Sequence, residues 1–239
     1  MKRIAILAAA LAAAAPAAAQ DPDIPPAPVP RLKAEAVSVR GFVPPGWGLE
    51  AERTGDLNGD GRIDAVFVLR GEDPKLVIAN DGLGEPLFNT NPRILAVAFA
   101  RPSGGYALAM QDSSLIPRRE IPTQSDPFEA EYGLKIERGA FHVRLEHFMS
   151  AGGWGMFNVT YIFRWQNNRF ELIGWDRNDT TRNTGEMRTA SVNFSTGRVK
   201  ITTGNIESDD EKVEWRTLRD RRPIAIEAIG DGLDWEPPL

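Results

Sequence analysis

The chain has 239 residues, 42% of them hydrophobic and 26% charged, with 28 Lys and Arg against 33 Asp and Glu, a net charge of −5 and no cysteine. That composition excludes a disulfide-stapled miniprotein, a zinc–thiolate site, thiol catalysis and a disordered chain. Nucleic acid is also a poor partner, because phosphate binding draws its affinity from clustered Lys and Arg.

Residues 1–19 read as a cleaved signal peptide. Lys2 and Arg3 precede an apolar run over 4–15, Pro16 breaks it, and alanines at 17–19 supply the small residues that cleavage requires. The run is shorter than the roughly 20 apolar residues that span a bilayer. No later stretch approaches that length, so no transmembrane segment is expected. Cleavage before Gln20 leaves 26 basic against 33 acidic residues. The alanine-rich leader looks bacterial, which places the mature chain in the periplasm or the extracellular medium. Residues 20–33 form a Pro-rich linker, in which DPDIPPAPVP favours extended polyproline geometry and reads as a tether.

Residues 34–239 read as a single β domain, because their apolar positions recur at period two. The run at 65–69 is continuously apolar, as expected for a strand buried on both faces. Residues 94–100 and 106–110 pair across Pro102-Ser103-Gly104-Gly105. Further hairpins follow at 134–137 with 141–146, 159–165 with 170–173, and 191–194 with 199–202. Each turns on Gly or Asn, where a positive φ is needed. Strands at 213–217 and 224–228 complete about a dozen, while 111–131 and 176–187 read as long polar loops. The fold class is therefore all-β, a large antiparallel meander, with sandwich, half-barrel or partial propeller-like closure left open.

Residues 56–64 carry the one motif with chemistry in it, D-x-N-x-D-G-x-x-D. Asp56, Asn58 and Asp60 place side-chain oxygens at alternate positions, the Arg62 carbonyl falls at the seventh, and Asp64 stands at the ninth. Six to eight hard oxygen ligands in a flexible shell are what Ca2+ takes, with a glycine at the sharp turn, here Gly61. An EF-hand does not fit, because the twelfth position is Phe67 and the flanks are strand-like. The stretch 55–68, in which the loop runs straight into a hydrophobic strand, resembles the calcium loop of FG-GAP and VCBS-type repeats. These occur in integrin-like propellers and secreted bacterial proteins. The resemblance implies a structural Ca2+ held by Asp56, Asn58, Asp60, Arg62 and Asp64, and it carries no activity. Propeller members repeat the motif, which occurs here once.

Other candidates are weaker. His142 and His147 have opposite parity along one strand and cannot act as a pair. None of Ser113, Ser114 and Ser150 sits in a nucleophile elbow. Trp154, in the Gly-rich segment 151–155, and Trp175 could form an aromatic surface for a glycan, a peptide or an envelope partner, with Trp47 as a third member. The expected function is an exported calcium-binding β-protein, a non-enzymatic binding or envelope-associated module. The alternative is a secreted hydrolase of carbohydrate or peptide using carboxylates such as Glu146, Asp176 or Glu186. No catalytic residue or organic cofactor is assigned.

Overall fold

A computed structural model describes residues 23–239; the expected signal peptide and the first residues of the linker lie outside them. Fourteen strands form among the described residues: β1 (Glu35–Ala36), β2 (Trp47–Gly55), β3 (Asp64–Gly71), β4 (Val77–Ala79), β5 (Leu87–Asn89), β6 (Arg93–Ala100), β7 (Tyr106–Asp112), β8 (Leu134–Glu137), β9 (Ala140–His147), β10 (Gly155–Gln166), β11 (Arg169–Thr181), β12 (Glu186–Asn193), β13 (Arg198–Asn205) and β14 (Ser208–Thr217). All pairs are antiparallel.

Strands β8 to β14 form a seven-stranded sheet in which every strand pairs with its neighbour in sequence. This is the expected meander, and it curls into a half-barrel. Its hairpins turn where the sequence placed them. Asn167 and Asn168 sit at φ 53° and 57°, the left-handed pair that lets a two-residue turn follow the twist of its strands. A second sheet of five strands has the order β1-β7-β6-β3-β2, and β4 with β5 makes a small hairpin beside it.

The five-stranded sheet is buried on both faces. Val66, Val68, Leu95 and Val97 meet the inner face of the half-barrel, including Phe141, Leu145, Tyr161, Phe163 and Val192. Ala65, Phe67, Leu69 and Ile94 turn the other way and are covered by Leu32, Val39 and Phe42. Phe42 stacks on Phe67 at 5.7 Å. Burial on two faces is why 65–69 is apolar without alternation.

Four expectations change. The Pro-rich segment, where described, is not a free tether: Leu32 N donates to Gln111 Oε1 (2.9 Å), Gln111 Nε2 donates to Pro30 O (2.8 Å), and Leu32 is buried. Residues 176–181 continue β11, and β12 already begins at Glu186, so 176–187 is mostly ladder. Residues 224–228 are not a strand. Ala225 makes one bridge to Glu171, and Ile226–Ala228 is a 3-10 turn that buries Ile226. Finally, of the polar loop expected over 111–131, residues 111–112 complete β7, and the connection that follows, 113–133, plugs the half-barrel with Leu115, Ile116 and Phe128.

That plug is fastened by charge. Glu50 is the extra residue of a bulge between Leu49 and Ala51, and a bulge re-aims a side chain. Its carboxylate meets Arg93 Nε (2.6 Å) and Nη2 (2.8 Å), and Arg70 Nη1 at 3.2 Å. Asp126, from the plug, meets Arg93 Nη1 (2.8 Å) and Arg70 Nη2 (2.9 Å). The Arg93 side chain is only 2% exposed. Burial opposes the Asp126 carboxylate, but the two guanidiniums and the Phe128 N–H outweigh it and hold its pKa below the usual value.

Candidate functional site

The 56–64 loop joins β2 to β3. Asp56 accepts from Gly59 N (Oδ1, 2.7 Å) and from Gly61 N (Oδ2, 2.9 Å). Asn58 Oδ1 accepts from Asp60 N at 3.0 Å, while its Nδ2 donates to Asp60 Oδ2 at 2.9 Å. Asp60 Oδ1 accepts from Arg62 N at 2.9 Å. Gly59 and Gly61 have φ of 79° and 80°, values that disfavour any β-carbon. The three side chains expected to act together are thus all turned into one tight loop.

Asp64 plays a different part. It is fully buried at the base of the loop. Its Oδ2 accepts from Leu57 N (2.9 Å) and its Oδ1 from Ala100 N (2.8 Å), which ties the loop to the end of β6. Arg62 reinforces the same joint, its Nε donating to Ala100 O at 2.8 Å. The Arg62 guanidinium also pairs with the Asp60 carboxylate. Desolvation raises the Asp60 pKa, but the Arg62 N–H, the Asn58 amide and the Arg62 guanidinium together outweigh it, so the Asp60 pKa is lowered.

The donor set fits a hard divalent cation in chemistry and in order, being all oxygen and alternating along a glycine turn. In the arrangement seen, backbone N–H groups and Arg62 occupy that oxygen shell. Among the described residues no three His, Cys, Asp or Glu side chains are arranged to hold a metal ion.

The two tryptophans do not share a surface. Trp175 faces Tyr161 across β10 and β11 and is 1% exposed, deep in the core. Trp154 is 62% exposed, with the Arg182 guanidinium over its ring at 5.8 Å. Glu146, Asp176 and Glu186 also stay apart. Glu146 pairs with Arg144 at 2.8 Å, Asp176 lies two strands away on β11, and Glu186 opens β12.

What the structure does bring together is a cleft of about 590 Å³ at one end of the half-barrel. His147 from β9, Phe157 from β10 and Arg177 from β11 line it together with Gln124, Asp231 and Asp234. The His147 ring stacks on Phe157 at 4.8 Å. Arg177 lies over Phe157 at 3.7 Å, bonded to Asp179 (2.8 Å) and Glu236 (3.0 Å). Burial, with Arg177 next, lowers the His147 pKa. Burial raises that of Asp231, and the Asp234 carboxylate adds to the rise. The signal for this site in the sequence is the parity of His147, which it shares with Phe141, Val143 and Leu145 on the inner face.

No family model matches the sequence, and no curated protein or solved structure shows significant similarity to it.

Proposed function

We propose that this chain is an exported, non-enzymatic β module whose 56–64 loop takes a structural Ca2+ and whose open loops meet a partner in the envelope or the medium. The observation that supports the reading is the convergence of Asp56, Asn58 and Asp60 into one glycine turn whose base, Asp64, is locked to β6. Asp56, Asn58, Asp60 and the Arg62 carbonyl would hold the ion, with Asp64 anchoring the loop beneath them. A cation at this loop competes with the Arg62 guanidinium for Asp60. Its contribution is then stability by mass action, in surroundings where Ca2+ is plentiful. Terbium luminescence and a thermal melt, each with and without chelator, test this. Calcium-displaceable terbium emission and a Tm raised by Ca2+ are expected. Neither effect appearing would end the reading.

One observation favours a second reading, a hydrolase. The cleft brings the His147 imidazole, its pKa lowered chiefly by burial, together with the Asp231 carboxyl, its pKa raised chiefly by burial, and perturbed titratable groups gathered in a cleft mark a candidate acid–base site. Turnover of glycoside or peptide substrates that is lost in His147→Ala and in Asp231→Asn would replace the first reading with this one.

A further inference from the structure

Among the described residues, the last strand, β14, is the free edge of the half-barrel. All ten residues of β14 are exposed, and among the described residues only β13 pairs with it. Val213 is 46% and Trp215 56% exposed. An edge this long is a template for another strand, and proteins normally blunt such edges with charge. Here the charges alternate in sign: Asp210, Lys212, Glu214, Arg216. Like-signed residues would repel every copy of the chain, whereas this order repels only some registers.

A twofold axis perpendicular to the sheet must pass through a residue, because facing side chains share a face. An axis at Lys212 opposes Lys212 to its own copy and Asp210 to Glu214. An axis at Glu214 opposes Glu214 to its copy and Lys212 to Arg216. At Glu211 the axis sets two glutamates face to face. At Trp215 no like charges meet, but the axis makes a single kind of charge pair, Glu214 opposite Arg216, and leaves Lys212 and Asp210 without an opposed partner on the strand. With the axis at Val213, Lys212 faces Glu214, Asp210 faces Arg216, Val213 faces Val213 and Glu211 faces Trp215, over residues 209–217. Every opposed charged pair is then attractive.

We infer that β14 is a self-docking edge, joining two copies of this chain antiparallel about Val213 into one continuous sheet. β14 pairs regularly with β13 from Lys212 to Thr217, while residues 209–211 bulge against Gly204. The central Lys212–Val213–Glu214 segment, on the regular side, therefore sets the register, and Asp210 with Arg216 flanks it. Cross-strand opposite charges stabilise such a pair, and like charges directly opposite destabilise it. This inference is independent of the calcium loop.

The purified chain should sediment as a dimer whose dissociation constant rises with salt, because the pairs are exposed and screened. Lys212→Glu places like charges opposite each other twice and should weaken the dimer by at least about tenfold. Lys212→Glu with Glu214→Lys in one chain restores opposite signs and should restore the dimer, which also shows that the exposed strand tolerates both changes. The chain has no cysteine, so Val213→Cys supplies a single thiol on the axis and should form an intermolecular disulfide under mild oxidation. A monomer at all concentrations, a dimer indifferent to Lys212→Glu, a charge swap that fails to rescue, or cross-linking at Trp215→Cys in place of Val213→Cys would each overturn the inference.

Discussion

The molecule holds two acid-rich regions that solve the same problem differently. In the plug network, Glu50 and Asp126 are neutralised by Arg70 and the almost fully buried Arg93, on side chains drawn from β2, β3, β6 and the 113–133 segment. In the 56–64 loop, Asp56 and Asp60 lie near solvent and take their bonds from the loop's own backbone. The first is long-range and fixed, because burying a charge without its partner is costly. The second is local and exchangeable, since solvent can substitute for any bond it loses. A region of the first kind holds a fold together, and one of the second kind can accept an ion.

The largest break in this contrast should come from Arg93→Ala, which leaves Glu50 and Asp126 facing each other with only Arg70 between them. A loss of about 3–5 kcal/mol is expected in chemical denaturation. Asp64→Ala should follow at about 2–4 kcal/mol, because the buried N–H of Leu57 and the N–H of Ala100 both lose their acceptor. Acid sharpens the contrast by selecting the network. The Asp126 pKa is depressed from its ordinary 3.8, so the carboxylate binds fewer protons folded than unfolded. Its contribution is complete above about pH 4 and is lost as pH falls below that value toward the depressed one. Arg93→Ala should flatten the acid limb of a stability–pH curve over this range. Asp60→Ala should have the smallest effect, near the noise of a melt in chelator. In excess Ca2+ it should abolish the ion-dependent rise in Tm, giving the loop a signature the network cannot share.

Much of the fold was legible because the responsible signals are local. The two-residue turn at Asn167-Asn168 and the apolar run at 65–69 each state their structure within a few residues. The 176–181 extension was not legible. Arg177 and Asp179 look like loop residues, yet they sit on the inner face beyond the apolar core, where the ladder to Phe157 and Val159 carries the strand onward. Trp175 was misplaced for a related reason, since its burial depends on facing Tyr161 on one neighbour and Val192 on the other. The same limit hid the cleft, whose Asp231 and Asp234 come from the C-terminal segment. The role of Asp64 was only half legible: a ninth-position ligand by spacing, it is tied to Ala100, a residue 36 positions away.

The meander itself has a kinetic consequence. Seven consecutive strands that pair only with chain neighbours close short loops, and short closures are fast. The five-stranded sheet must instead bring β1 to β7 and β3 to β6 across intervening segments, and it acquires its second apolar cover only from the half-barrel. The C-terminal part should therefore nucleate and the N-terminal part condense onto it, so a chain truncated near residue 130 would present Val66, Val68, Leu95 and Val97 to water and aggregate.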